Sequence, residues 1–336
     1  MSRVLCFGEL LLRLSPQLNG EWISQNAMPV FIGGAELNAA TALSNWSVPV
    51  SYCTALPDHY LSHEIAEAVR AKGIDTNKIL FSGQRIGTYY LPQGADLKNA
   101  GVIYDRAYSS FWELKPGQID WDEVLDRASW FHFSAISPAL NADVAAVCRE
   151  GAEAAARKGL TVSVDLNYRA KLWQYGKQPH EVMPELVSFC DVVMGNLWAA
   201  EKMLAVPVPA GLPDEKQAYL DQAQRSSEAI MQAFPRCRQV ANTFRFDAGA
   251  GVRYYATLYA DGKLHTSQEH HTDYIVDKVG SGDTFMAGLV YGNYHKLPAQ
   301  EIINFAAAAA FNKLFIKGDA TTASVEEIRK GYLTYA

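Results

Sequence analysis

Small residues and a carboxylate stand together near the C-terminal end of the chain. The stretch Asp277–Thr284 reads Asp-Lys-Val-Gly-Ser-Gly-Asp-Thr. Gly280, Ser281 and Gly282 let the backbone turn sharply and present several N–H groups at once. The apolar residues after Thr284 predict a buried helix, and the amides and positive dipole at a helix start favour phosphate. Asp283 stands directly beside this predicted anion site.

The chemistry that suits this combination is phosphoryl transfer. Backbone amides neutralise the phosphate oxygens while the carboxylate of Asp283 takes a proton from an attacking hydroxyl. A simpler interpretation makes the same residues a loop in which Asp283 or Thr284 caps the helix. The local sequence leaves both interpretations open.

Predicted strands and helices alternate along most of the chain. The alternation indicates a doubly wound α/β fold, with a mostly parallel central sheet flanked by helices. Strands are predicted at Arg3–Phe7, Val50–Thr54, Trp130–Ser134, Thr161–Asp165, Val192–Met194 and Gln239–Thr243, and a hairpin at Arg253–Thr266. The prominent helices follow Gly34 and Gly282 and cover Leu61–Lys72, Asp143–Lys158, Val182–Phe189, Gln217–Phe234 and Glu301–Leu314.

Two segments interrupt this rhythm. Residues 86–110 predict two antiparallel strands around a turn at 94–99, and residues 10–32 read as hairpin or edge structure. We expect these segments to form a small β-sheet lid on a single domain that spans residues 1–336. Apolar and aromatic residues predicted to be exposed on this lid would favour a homodimer or higher oligomer; they are Trp22, Ile23 and Phe111 or Trp112.

Composition narrows the class of protein. The 336 residues are 49% hydrophobic and 20% charged with a net charge of −6, which is typical of a globular protein and argues against nucleic acid as a partner. The five cysteines are dispersed and include no Cys-x-x-Cys pair, so neither a disulfide framework nor a zinc site is indicated. Without a long apolar run or a signal-like start, we expect no membrane partner and a cytoplasmic location.

Four suggestive stretches are predicted to stand at strand ends. They are Gly33-Gly34 before a helix, Asp165–Arg169, Gly195-Asn196, and Gly280–Asp283 after a predicted strand at Tyr274–Val276. In a doubly wound sheet, ligands bind at the carboxyl ends of strands. One cleft for nucleotide and substrate accounts for all four stretches, whereas turns and caps must explain each one separately.

Two of these stretches carry a family resemblance. Gly33-Gly34-x-x-x-Asn38 and Asp277-x-x-Gly280-x-Gly282-Asp283 resemble the two signatures of ribokinase-like (PfkB) carbohydrate kinases. The resemblance covers essentially the whole chain and implies ATP-dependent phosphorylation of a sugar hydroxyl. It implies Asp283 as the base, Gly280, Ser281 and Gly282 as the anion hole, Mg²⁺ with the nucleotide, and room for a monovalent cation such as K⁺.

The same resemblance assigns a nucleotide subsite. It would comprise Asn196, Thr243, Arg245, Gly280, Gly282 and Asn312, with adenine between the strand-loop at 243–245 and the late helix. One departure concerns the Asn-x-x-Glu pattern that the family often carries after a central strand. Here the acidic position holds Ala199, and Glu201 is displaced by two residues. No dedicated carboxylate set for the metal is visible.

The substrate side is most similar to the 2-keto-3-deoxygluconate kinase branch. The resemblance rests on the first motif, on Asp165-Leu166-Asn167-Tyr168-Arg169 and on Tyr104-x-Arg106. It implies that a sugar acid is held by Gly33, Gly34, Asn38, Tyr89, Tyr104, Arg106 and Arg169. Arginine suits the carboxylate and tyrosine the hydroxyls. Because successive side chains of a strand point to opposite faces, only one of Tyr89 and Tyr90 can face the cleft.

Three rival functions remain at this stage. A fructokinase or another neutral-sugar kinase would share the machinery but needs no arginine for a carboxylate. A nicotinamide-dependent oxidoreductase would carry Gly-x-Gly-x-x-Gly after the first strand, where this chain has Phe7-Gly8-Glu9-Leu10. A non-catalytic sugar sensor would have no need of Asp283 with its intact glycine loop.

Overall fold

A computed structural model describes residues 2–17, 22–24, 26–93, 101–248 and 251–333. Within these ranges the chain forms two separate sheets and the helices around them. The predicted turn at 94–99 and parts of the predicted lid segments lie outside the described residues.

The strands in chain order are β1 Arg3–Phe7, β2 Leu11–Leu14, β3 Val30–Gly33, β4 Val50–Leu56, β5 Asp75–Phe81, β6 Gly87–Tyr90, β7 Ile103–Asp105, β8 Ala128–Ser134, β9 Thr161–Asp165, β10 Val192–Gly195, β11 Gln239–Ala248, β12 Gly251–Ala260, β13 Lys263–Thr266 and β14 His270–Thr272. The helices are α1 Ala35–Asn45, α2 Tyr60–Arg70, α3 Trp121–Val124, α4 Ala142–Arg157, α5 Pro179–Val187, α6 Leu197–Leu204, α7 Lys216–Ala233, α8 Ser281–Tyr294, α9 Ala299–Lys313 and α10 Val325–Leu333.

The main sheet is parallel over most of its width. Its order is β13-β12-β11-β10-β9-β8-β1-β4-β5, with β14 beside β12. Strands from β5 to β11 pair in parallel, and β12, β13 and β14 add antiparallel pairings at one edge. The predicted doubly wound α/β class is therefore confirmed.

Helices cover both faces of the main sheet. Successive residues of β1 point to opposite faces: Val4 and Cys6 pack in one core with α1, α8 and α9, while Leu5 and Phe7 pack in another with α4 and α5. Helices α8 and α9 approach closely, because a Cβ at Gly288 would lie 2.5 Å from Cα of Ala306. The close packing that these small residues allow thus fixes the position of the α8 N-terminus against α9.

The small sheet has the order β3-β2-β6-β7. Strand β2 pairs antiparallel with β3 and parallel with β6, and β6 pairs antiparallel with β7. Leu11, Arg13 and Tyr89 are buried on one face of this sheet, whereas Val30 and Ile103 of the opposite face are exposed. A small sheet beside the main one was predicted, although the parallel β2–β6 pairing was not.

Two expectations from the sequence are wrong. Residues 274–276 are not a strand, because the amides of Val276 and Asp277 donate to the carbonyl of Leu314 instead of to a sheet neighbour. The Gly280–Gly282 loop therefore does not directly follow a strand. Phe111 is fully buried against Phe7 and cannot belong to an exposed lid surface.

Candidate active site

Asp283 lies in the first turn of α8 and lines the main cleft. The Nδ2 of Asn38, on α1, donates to its Oδ2 over 2.7 Å. This bond joins residues that are 245 positions apart in the sequence. Because it fixes one carboxylate oxygen, the other is free to face the cleft. The two sequence motifs thus meet at one carboxyl group.

The three small residues of the loop have different structural roles. Gly280 has a φ of 78°, and a Cβ there would overlap the carbonyl oxygen of Asp319. Ser281 is buried, and its Oγ donates to the carbonyl of Ala310 over 2.8 Å. A Cβ at Gly282 would meet nothing within 4 Å, and Gly282 lines the cleft. Gly280 and Ser281 fix the loop against α9, while Gly282 keeps its surface open.

The start of α8 offers backbone donors to the cleft. Thr284 donates its amide to the carbonyl of Gly280 over 2.8 Å, which is the first intrahelical bond of α8. The amides of Ser281, Gly282 and Asp283 precede that bond, so they have no acceptor within the helix. Together with the helix dipole they form a site with the chemistry that an anion needs.

The cleft has a volume of about 600 Å³ and follows the carboxyl ends of the central strands. Such a volume suits small-molecule ligands. The walls come from the loop after β9, the end of β10, β11, the small sheet and the α8 loop. Lining residues include Tyr104, Asp165, Asn167, Arg169, Lys171, Gly195, Asn196, Trp198, Lys202, Thr243, Arg245, Lys278 and Gly280–Asp283.

Basic side chains outnumber acidic ones along this wall. Arg169, Lys171, Lys202, Arg245 and Lys278 contribute positive charge, against the carboxyl groups of Asp165 and Asp283. Lining charges of one sign focus the field within a cleft and attract ligands of the opposite sign. The cleft is therefore suited to anionic ligands although the whole chain is acidic.

Burial shifts the pKa values of three carboxyl groups at the site. Removal from water raises the pKa of Asp283 to about 8, and the charges of Asp165 and Glu36 add to the rise. The Asn38 hydrogen bond and the Arg169 charge oppose it. Burial likewise raises the pKa of Asp165 to about 6 and that of Glu36 to about 7. Asp283 is thus a stronger base, when ionised, than an ordinary aspartate.

The glycines of the first motif occupy positions that exclude a side chain. Gly33 ends β3, and a Cβ there would lie 2.6 Å from Oδ2 of Asp319. Gly34 has a φ of 140°, and a Cβ there would overlap the carbonyl oxygen of Glu9. The chain can therefore turn from β3 into α1 directly beside Asp283 only with glycine at these positions.

The four predicted substrate side chains lie in different environments. Tyr104 and Arg169 line the cleft. Tyr89 is buried one strand away, and its hydroxyl donates to Oδ2 of Asp319 over 3.3 Å. Arg106 is buried and does not belong to the cleft lining, and its Nε is paired to the carboxylate of Glu9.

Five of the six predicted nucleotide residues line the cleft and one does not: Asn196, Thr243, Arg245, Gly280 and Gly282 line it, and Asn312 does not. Asn196 caps α6 through an Oδ1 that accepts from the amide of Ala199 over 2.8 Å. Thr243 and Arg245 lie on β11 in the same wall. Asn312, near the end of α9, is half-buried outside this lining.

Sequence reasoning missed several residues at the site. Lys171, Trp198 and Lys202 line the cleft, but a charge or an aromatic residue on a loop or helix gave no specific signal. Two buried groups, Arg13 and Asp319, were also missed. The only sign of Arg13 was a charge within Leu11–Leu14, where an apolar strand was expected.

No group of three or more possible metal ligands of the His, Cys, Asp and Glu types occurs among residues 2–17, 22–24, 26–93, 101–248 and 251–333. In the same part of the chain, no helix is both long and apolar enough to cross a membrane.

Comparison with known proteins places these features in context. A sequence profile of the pfkB family carbohydrate kinases matches residues 1–324. The 2-dehydro-3-deoxygalactonokinase of Haloferax volcanii is 25% identical, covering 98% of this chain and 96% of that protein. Probable fructokinase-3 of Arabidopsis thaliana is also 25% identical, over 85% of this chain and 76% of the relative.

A solved structure resembles the fold over nearly its full length. The crystal structure of 2-dehydro-3-deoxygluconokinase from Thermotoga maritima superposes with a TM-score of 0.88 at 35% sequence identity. The match covers 98% of this chain and 99% of that one.

Proposed function

Because the chain belongs to the pfkB family of carbohydrate kinases, we propose that it transfers a phosphoryl group from ATP to the terminal hydroxyl of 2-keto-3-deoxygluconate. The product would be 2-keto-3-deoxy-6-phosphogluconate. Phosphotransfer to a sugar follows from the family. The particular sugar acid and the roles of individual residues are the proposal.

The observation that carries the proposal is the position of Asp283 at the start of α8, held by Asn38. In the proposed step Asp283 takes the proton of the sugar hydroxyl, and that oxygen bonds to the γ-phosphorus. The bond from phosphorus to the bridging oxygen breaks, and ADP leaves. The amides of Ser281, Gly282 and Asp283 stabilise charge on the transferred group.

The nucleotide would occupy the basic part of the cleft. Thr243 and Arg245 on β11 and Lys278 beside the loop are positioned for its polar groups. Asp165 would be the protein ligand for Mg²⁺ through its Oδ2, because Oδ1 of Asp165 accepts from the amide of Asn167 and Oδ1 of Asn196 accepts from the amide of Ala199. Phosphates and water would supply the remaining ligands. When bound, the ion would neutralise phosphate charge. Ala199 is buried and Glu201 half-buried, so we assign neither to the metal.

The residues behind the loop do not fit a bound K⁺ ion. Asp277 already accepts from Arg13 and from the amides of Val279 and Gly318. Nearby, the ammonium group of Lys313 donates to the carbonyl of Ile316 over 2.7 Å. Internal donors therefore occupy the oxygens that a cation would need, and no step is assigned to one.

Arg169 supports an acidic sugar over a neutral one. It lines the cleft, and no carboxylate of the described residues is within ion-pair distance of it. Its Nη1 donates to the neighbouring carbonyl of Tyr168, which leaves further donors for a ligand. Arg106 is already neutralised by Glu9. We therefore assign the sugar carboxylate chiefly to Arg169, with Tyr104 near the hydroxyls.

An ATP-coupled assay across related sugars tests the substrate. The panel contains 2-keto-3-deoxygluconate, its galactonate epimer, gluconate, fructose, ribose and adenosine. We expect the highest kcat/KM for 2-keto-3-deoxygluconate. A higher value for fructose would replace the proposal with the fructokinase alternative, which the similarity to probable fructokinase-3 supports.

Arginine variants separate recognition of the carboxylate from catalysis. We expect Arg169→Ala to lower kcat/KM for the sugar acid about 10- to 100-fold, the scale of a lost charged hydrogen bond. Activity on fructose serves as the internal control: it should fall only through the pKa of Asp283, which the Arg169 charge lowers, and so should fall less than activity on the sugar acid. An equal loss on both substrates would contradict the assignment of Arg169 to the carboxylate.

We also propose that the small sheet is a lid on a single domain and pairs with a second copy. The strand register places Leu14, Val30, Tyr90 and Ile103 on its outer face together with Thr88 and Asp105, while Leu12 and Ile32 of the same face pack against the main core. Val30 and Ile103 are 54% and 52% exposed. Trp22 stacks on Tyr90, and Ile23 beside it is 89% exposed. An apolar sheet face of this kind favours self-association.

A further inference from the structure

Four charged side chains form a buried cluster behind the α8 loop. The Arg13 guanidinium contacts Asp319 through Nε at 2.7 Å and Nη2 at 2.6 Å, and Asp277 through Nη2 at 3.4 Å. Lys313, which is fully buried, is the fourth member. Two positive and two negative groups make the cluster neutral. The Arg13 and Asp319 side chains are only 3% and 2% exposed.

The cluster joins three parts of the molecule. Arg13 lies on β2 of the small sheet, Asp277 precedes the α8 loop, and Lys313 ends α9. Tyr89 on β6 adds a second contact from the small sheet to Asp319. No other ion pair of the described residues links the small sheet to the α8 side of the cleft.

Asp319 touches the two glycine loops of the site at once. Its side chain stands where a Cβ of Gly33 would be, at 2.6 Å. Its backbone carbonyl packs directly on Gly280, the residue that opens the anion loop. The Gly33 loop adjoins the proposed sugar side and the Gly280 loop the proposed phosphate side. The position of Asp319 therefore sets the spacing between them.

Stability alone does not account for this arrangement. Desolvation of buried charges offsets most of their attraction, so apolar residues of similar volume often serve as well. The forked guanidinium of Arg13 does, however, donate from Nε and Nη2 to the same oxygen, Oδ1 of Asp319, while Oδ2 accepts from the hydroxyl of Tyr89. Donors on both oxygens fix the carboxylate in direction as well as in distance. Arg13 is further held over the ring of Phe31, with 4.1 Å from Cζ to the ring centroid. Such a pair is suited to positioning.

We propose that the Arg13–Asp319 ion pair is a positioning element that holds the Gly33 loop of the small sheet in register with the Gly280–Gly282 loop. In this arrangement the sugar hydroxyl and the transferred phosphate meet at Asp283 only when Arg13 of the small sheet is paired with Asp319. This inference rests on the proposed function, because it takes the α8 loop as the phosphate site.

The test compares Arg13→Met, Asp319→Asn and the double variant in kcat, KM and the urea midpoint. Each single change leaves one uncompensated charge in the cluster, so both should lower the midpoint. The double variant restores neutrality and should recover most of that loss. We expect its kcat to stay at least 10-fold below that of the unmodified enzyme, with KM for ATP changed less than kcat. Recovery of kcat to within twofold together with the midpoint would overturn the proposal.

Two controls make the result independent of folding. Arg13→Lys keeps the charge but loses the fork, so we expect an intact midpoint with kcat lowered several-fold; an unchanged kcat would overturn the proposal. Arg236→Met breaks a pair with Asp191, before β10 and away from the cleft, and should lower only the midpoint. Gly282→Ala tests the phosphate site itself: an unchanged kcat would show that this site is misassigned. If Gly282→Ala lowers kcat but Arg13→Lys does not, the phosphate site stands and only the positioning role of Arg13 is overturned.

Discussion

At the scale of single residues, the proposed chemistry depends on how Asp283 would be kept reactive as the base. Its environment removes water from the carboxyl group and thereby raises the pKa to about 8, while the Asn38 amide and the Arg169 charge limit the rise. A general base works best when its pKa is close to the working pH. The cost of ionising a half-buried carboxylate is thus part of the proposed catalytic design.

A pH profile follows from this pKa. Because only ionised Asp283 can accept a proton, kcat/KM for the sugar should rise with pH and approach its plateau above pH 8. The acid limb of the profile should titrate as a single proton. The coupled assay at saturating ATP measures kcat/KM for the sugar at each pH. A profile that is flat between pH 5 and 9 would contradict the assignment of Asp283 as the base.

Loss of the Asn38 hydrogen bond should shift the same limb. The bond lowers the pKa of Asp283, so Asn38→Ala should shift the midpoint of the acid limb to higher pH, by roughly half to one pH unit. Asn45→Ala on the same helix is the matched control, because Asn45 donates to the carbonyl of Thr321 and not to Asp283. Equal shifts in both variants would show that the hydrogen bond to Asp283 is not the cause.

Ionisation of Asp283 should lower the stability of the fold as pH rises, whereas it should increase activity. The pKa of Asp283 is higher in the folded than in the unfolded chain, so ionisation costs stability progressively as pH rises from about 4 to about 8. Asp283→Asn removes that cost. Urea unfolding should therefore show a stabilisation that is larger at pH 8 than at pH 5. A variant equally or less stable at pH 8 would contradict the desolvation argument.

At the scale of elements, the start of α8 contains one glycine that the fold requires, Gly280, and one to which we assign a function, Gly282. Gly280→Ala should destabilise the chain by about 1–3 kcal/mol, because of its positive φ and the overlap with the carbonyl of Asp319. Gly282→Ala faces open space and should fold normally, yet lower kcat about 10- to 100-fold by crowding the phosphate. Urea unfolding and the coupled assay measure both effects. Normal kinetics for Gly282→Ala would count against the anion hole.

The sequence predicted the elements better than the contacts between them. Alternating strands and helices have periodic signals, so the central sheet and its flanking helices could be anticipated. The Asn38–Asp283 bond could be inferred only as a meeting of two motifs, since neither residue signals its partner. The charge of Arg13 within β2 was visible, but nothing pointed to Asp319 as its partner, because a buried pair forms only when β2 and the segment after α9 come together. The segment at 274–276 looked like a strand, but its amides bond to Leu314.

At the scale of the whole molecule, the small sheet should determine the oligomeric state. Its outer face carries the exposed apolar side chains of Val30 and Ile103 on different strands, beside the charged Asp105. We expect a dimer at micromolar concentration by light scattering, and a monomer for Val30→Asp with Ile103→Lys. Tyr60→Lys, on helix α2 beside the main sheet, changes an aromatic residue that is 84% exposed and lies outside the small sheet, and should leave the dimer intact. A monomeric unmodified chain would refute pairing through this face.

The central claim is that Asp283 activates the terminal hydroxyl of a sugar acid for attack on ATP. Phosphorus NMR of a reaction containing ATP, Mg²⁺ and 2-keto-3-deoxygluconate tests it most directly. The unmodified enzyme should yield ADP and one phosphate ester on the terminal carbon. Asp283→Asn should form this ester about 10²- to 10⁴-fold more slowly while still binding the sugar. Ester formation at an undiminished rate in Asp283→Asn would contradict the account.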